Sequence, residues 1–144
     1  MDLTLPVKDM FLNVRVAVIL KTENGFVLEK SKNFDGYFAV GGRMKINETS
    51  EEAAKREVLE EVGLVIKENL KLKAIIELFF GYEKERVHEI CFVYILDGIH
   101  ELKLSEGFGE YTIEQINNMD VRPLVIKQLF ESKSDEFVHL THRE

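Results

Sequence analysis

The chain has 144 residues, 45% of them apolar and 31% charged, which suits one globular domain with its own core and excludes a disordered chain. A formal charge of −7 argues against a nucleic-acid backbone as partner, yet a small phosphorylated ligand stays compatible if a bound cation supplies positive charge. One cysteine, Cys91, excludes a disulfide framework, and no apolar run reaches membrane-spanning length, so the expectation is a single domain over residues 1–144, cytoplasmic and without a membrane partner.

Residues 14–21, VRVAVILK, are rich in β-branched side chains and read as a strand, with 26–30, FVLEK, as its partner. The Asn24-Gly25 pair between them is a hairpin signal, because both residues tolerate positive φ. A loop, SKNFDG, then leads to the short apolar segment YFAV and to Gly41-Gly42.

A helix is predicted over 50–62. Thr49 and Glu52 have the capping-box spacing at its start, and Gly63 suits the left-handed residue that ends it. With Val58 at zero and ~100° per residue, Ala54 and Val62 lie within ~40° of it, while Glu61, Glu57 and Glu60 fall at about −60°, −100° and −160°. The three carboxylates therefore form an acidic strip along one edge of the buried face. Like charges at this spacing repel. An isolated E-x-x-E-E is usually a solvated acidic face, but carboxylates at i, i+3 and i+4 also suit shared Mg or Mn ions, which prefer hard oxygen ligands.

Further along, LKLKAIIELFF (70–80) alternates, with Leu70, Leu72, Ala74, Ile76, Leu78 and Phe80 on one face and Lys71, Lys73, Glu77 and Phe79 on the other. GYEKERVH reads as a polar turn, and EICFVYIL (89–96) as a central strand, apolar on both faces. Residues 97–112 read as a long loop carrying Glu101, Glu106 and Glu110. Pro123 opens a helix of about 123–131, and FVHL adds a last strand. Strands with two helices predict an α/β (α+β) fold, a mixed β-sheet sandwiched between α-helices.

Residues 42–64 carry Gly42, Glu48, Arg56-Glu57-Val58, Glu60-Glu61, Gly63 and Leu64. This resembles the signature of the MutT-like Nudix hydrolases, G-x5-E-x7-R-E-U-x-E-E-x-G-U with U apolar, at every specified position. Val40 departs from the Pro that many members have before the paired glycines. The resemblance implies a hydrolase that uses Mg or Mn to cleave a nucleoside diphosphate linked to another moiety. It implies metal ligation by Glu57, Glu60, Glu61 and the Gly42 carbonyl, with Arg56 and Glu48 bracing the glutamates. The loop SEGFGEY resembles that of the nucleotide-sanitising members and points to Glu106 as general base, with Glu61 and Glu110 the other choices.

Arg43 and Lys45 are candidates for phosphate contacts, and Phe79 and Tyr82 for stacking on a nucleobase, although each also suits an ordinary surface or packing role. Neither the Pro of the ADP-ribose branch nor the Tyr of the dinucleoside-polyphosphate branch stands where the family carries it, and the acidic loop leans toward nucleoside triphosphates, oxidised ones included. An ADP-ribose or nucleotide-sugar pyrophosphatase, a non-catalytic nucleotide sensor and an isopentenyl-diphosphate isomerase are the other readings. The last lacks a suitably placed cysteine. Relatives of this kind imply a homodimer.

Overall fold

The computed structural model describes residues 1–81, 86–99 and 102–144. Its strands are β1 (Thr4–Val7), β2 (Met10–Thr22), β3 (Gly25–Lys30), β4 (Tyr37–Arg43), β5 (Lys71–Phe80), β6 (Arg86–Ile99), β7 (Phe108–Tyr111), β8 (Val121–Arg122) and β9 (Val138–Arg143). Its helices are α1 (Ser50–Val62), α2 (Ile113–Asn117) and α3 (Lys127–Glu131), the last preceded by the 3₁₀ turn Leu124–Ile126. Tyr82 and Glu101, both singled out in the sequence, lie outside the described residues.

The described strands form one mixed sheet in the order β7-β3-β4-β2-β6-β5-β9, with β1 added to β2 and β8 to β4. At its centre β2 and β6 run parallel, from Met10 opposite Arg86 to Leu20 opposite Leu96. The alternation of β2 divides the core in two. Val16, Val18 and Leu20 pack with Val27, Val40 and the apolar side of α1, where Ala54, Val58 and Val62 are fully buried. Ala17 and Ile19 face the opposite layer, with Ile116 of α2 and Leu129 and Phe130 of α3. Each fully buried branched side chain contributes about 1.5–3 kcal/mol, so both faces of the sheet are firmly covered. This is the predicted α+β sandwich.

Three local readings change. The face of β5 switches, because a bulge lies between Leu72 and Ala74: Leu70 and Leu72 join the α1 layer, while Ala74, Ile76 and Leu78 join the other. Lys73, at the bulge, is buried rather than on a polar face, and its Nζ donates to the Ser134 and Glu136 carbonyls at 2.7 Å each. Carbonyls at both contacts satisfy the ammonium there. Second, residues 97–112 are not one loop. β6 continues to Ile99, and Phe108–Tyr111 pairs with β3 as an edge strand. Third, the closing helix is split, with only Lys127–Glu131 α-helical.

Candidate active site

Helix α1 begins and ends as its sequence predicts. Thr49 accepts from the Glu52 amide while the Glu52 side chain accepts from the Thr49 amide, and Gly63 closes the helix at φ 70°. The helix lies against β4, whose last residues are Gly41, Gly42 and Arg43. The glycines permit this approach. A Cβ on Gly42 would sit 2.4 Å from Glu57 Oε1, and the Gly41 amide donates to Glu61 Oε2 at 3.1 Å. Gly41 has φ 155°, which a side chain would strain.

Arg56 holds the acidic strip together. Its Nε and Nη2 donate to the two Glu48 oxygens at 3.0 and 2.7 Å, and its Nη1 to Glu57 Oε1 at 2.9 Å and Glu60 Oε2 at 3.4 Å. Nη2 also reaches the Arg43 carbonyl at 3.1 Å, which ties the helix to the end of β4. A forked, charge-assisted arrangement of this kind fixes orientation as well as energy. Arg56 holds the Glu48 carboxyl below its ordinary range, and Glu48 is in turn the main reason the Arg56 pKa rises. The Lys45 amide completes Glu48 with a 2.6 Å bond.

Glu61 is treated differently by its surroundings. Burial pushes its carboxyl up to about 8; the Gly41 amide opposes this, the charges of Glu57 and Glu29 add to it, and Arg15 pulls back. A desolvated carboxylate beside a second acidic group is an environment that a cation relieves. The oxygens expected from the sequence to hold a metal, those of Glu57, Glu60, Glu61 and the Gly42 carbonyl, are all hard donors, and the missing Gly42 side chain leaves the Glu57 carboxylate its room. These residues fit a Mg or Mn ion. Among the described residues no three acidic, His or Cys side chains converge on one point.

The loop after β6 meets this end of the helix. The Lys103 and Ser105 amides donate to the Val62 and Glu61 carbonyls at 3.1 and 3.2 Å, and the Lys30 amide donates to the Gly107 carbonyl at 2.8 Å. Glu106 therefore sits exposed between two anchored neighbours, beside the C-terminal end of α1. Glu110 is engaged elsewhere, accepting from the Thr22 hydroxyl at 2.5 Å.

On the opposite face of the sheet lies a cavity of about 390 Å³, walled by Phe34, Phe38 and Phe80 and carrying Arg15, Glu89 and Arg122. Its size and its mix of aromatic walls with few charged groups suit a small ligand. Arg15 joins the two regions: it stands opposite Arg43 in the β2–β4 ladder, lines the cavity, and its charge favours the ionised forms of both Glu61 and Glu89. Sequence reasoning missed Arg15, Glu89 and Phe80, although one charge inside VRVAVIL and another beginning EICFVYIL were visible signals. Phe79 points away from the cavity. Its ring lies 4.3 Å from that of His88, with the Arg143 guanidinium 4.2 Å over its centre. Arg43 and Lys45 are exposed just past the glycines.

A family model described as the NUDIX domain matches residues 11–137. The chain is 37% identical over 117 residues to an ADP-ribose pyrophosphatase of Methanocaldococcus jannaschii, a match covering 76% of this chain and 67% of that protein. Among solved structures, a mutator MutT protein from Bacillus halodurans superposes with a TM-score of 0.76 at 20% identity, covering 91% of this chain and 89% of that one. A NUDIX hydrolase from Nitrosomonas europaea superposes with a TM-score of 0.66 at 19% identity, covering 92% and 79%. At those identities the structures establish the shared fold. The chain belongs to the NUDIX-domain family.

Proposed function

We propose that this Nudix-family chain hydrolyses the diphosphate linkage of a nucleoside 5′-diphosphate joined to another group, with Mg or Mn as cofactor and ADP-ribose as the first substrate to test. The choice of ADP-ribose is supported by the 37% identity to the Methanocaldococcus jannaschii protein named for that activity. The observation that carries the reading is the pair of carboxylates against Gly41-Gly42: the buried Glu57, held by Arg56, and the half-buried Glu61, held by the Gly41 amide.

In this reading Glu57 and Glu61 hold the ion, Glu60 joins them, and Gly42 contributes its carbonyl. The bound ion supplies Lewis-acid polarisation of the diphosphate and offsets its charge. Arg56 keeps the carboxylates aimed, and Glu106 takes the proton from the attacking water. Arg43 and Lys45 meet phosphate oxygens at the exposed end of β4. Arg15 stands where the diphosphate passes from the carboxylates to the cavity, and the cavity takes the nucleoside. Water adds to one phosphorus as its bond to the bridging oxygen breaks, so ADP-ribose and water give AMP and ribose 5-phosphate.

No helix of the described residues is long and apolar enough to cross a membrane. A single-domain cytoplasmic enzyme working as a homodimer completes the reading, with light scattering as the check on the dimer. The general base is tested by Glu106→Gln: the pH-rate profile should lose its acidic limb and turnover should fall by about 10²–10⁴-fold. Wild-type turnover across pH in that variant excludes Glu106 as the base.

A further inference from the structure

Glu89 has no role in the reaction just described, and its position is costly. It lies on β6 opposite Asn13 of β2, is 4% exposed and lines the cavity. Its Oε1 is buried with no hydrogen-bond partner among the described residues. The nearest cation among the described residues, Arg15 Nη1, is 3.9 Å away, too far for a hydrogen bond. A buried acceptor left open in this way destabilises a fold unless a ligand completes it. The neighbouring walls are the flat rings of Phe34, Phe38 and Phe80, surfaces that accept a planar heterocycle.

We propose that Glu89 is the specificity residue of this cavity, accepting a hydrogen bond from the amino group of a nucleobase seated against the aromatic walls. The proposal rests on the reading of the cavity as the nucleoside end of the diphosphate site. Burial raises the Glu89 carboxyl above its ordinary range, with Arg15, Asn13 and Arg43 pulling the other way, as expected of a carboxyl waiting for a donor. An amino group supplies that donor. A base with hydrogen or a carbonyl oxygen in its place leaves Oε1 open or sets two acceptors against each other.

The test is calorimetric binding of nucleoside monophosphates in matched pairs: AMP against purine-riboside monophosphate, GMP against IMP, and CMP against UMP. Wild type should prefer the amino-bearing member of at least one pair by about tenfold to a hundredfold. Glu89→Met, similar in shape but without an acceptor, should bring that ratio within about twofold, and Glu89→Gln, which keeps one acceptor oxygen, should fall between. Thermal melting confirms that the variants are folded. A residue that merely stabilises the sheet would move the melting temperature and leave the ratio alone. Equal affinity within every pair for wild type, no nucleotide binding by the folded protein, or an unchanged ratio in Glu89→Met overturns the proposal. Base preference without metal-dependent hydrolysis would count against the catalytic reading alone, and hydrolysis without base preference against this one alone.

Discussion

The two faces of the sheet carry the two halves of the proposed site, and they are built differently. On the α1 face the charged groups come from one stretch, Arg43 to Glu61, and are joined by hydrogen bonds between 2.6 and 3.4 Å. On the other face the cavity gathers residues from β2, β4, β5, β6 and the turn before α3, and its key carboxyl is left with an open oxygen. One half is internally satisfied apart from Glu61. The other leaves a buried acceptor open. A site made of local, mutually paired charges should govern the chemistry, and a site made of distant, unsatisfied walls should govern the choice of ligand.

Arg56→Ala breaks the first half hardest. Glu48, Glu57 and Glu60 would lose their shared cation, and Mn affinity, read by titration, should fall by about 10–100-fold. Lys at this position should rescue poorly, because an ammonium lacks the fork that grips both Glu48 oxygens. On the other face, Phe80→Ala should raise KM by about tenfold while kcat changes far less, since a stacking wall is lost and the carboxylates stay in place. A fall in kcat with unchanged KM would erase the division between the two halves.

The pH dependence of the metal-free protein sharpens the contrast. The Glu61 carboxyl titrates near 8 in the fold, above its ordinary value of 4.5, so its contribution to stability is complete below about 4.5 and is lost as pH rises through about 8. Between pH 5 and pH 9 this group should remove about 1–3 kcal/mol of stability, and Glu61→Gln should flatten that part of the curve. Thermal melts at fixed ionic strength read both. The smallest effect is reserved for Phe79→Ala, which removes a ring under Arg143 on the far side of β5 from the cavity and should leave kcat and KM within about twofold.

The sequence made the helix legible because its cap, its glycine stop and its acidic strip are all set by neighbours within a few residues. The sandwich followed from strand-like runs mixed with two helices. What stayed hidden depended on pairing at a distance. The bulge at Lys73 shows only when β5 is laid on β6, and it reverses which side chains face which layer. Thr112 and Gln115 form a second capping box that marks α2, yet a five-residue helix has too little periodicity to draw attention to it. Glu89 and Arg15 each break an apolar run, and nothing local says whether such a charge faces solvent or a cavity. Phe79 and Phe80 show the same limit: one residue of register decides which of them meets the pocket.

The most direct measurement is hydrolysis of ADP-ribose, with dinucleoside polyphosphates, nucleotide sugars and nucleoside triphosphates alongside, in magnesium or manganese, by wild type and Glu61→Gln. Metal-dependent release of AMP and ribose 5-phosphate, lost by more than about a hundredfold in the variant, is the predicted result. Equal turnover by the two proteins, or turnover that ignores the metal, would contradict the assignment of the α1 glutamates.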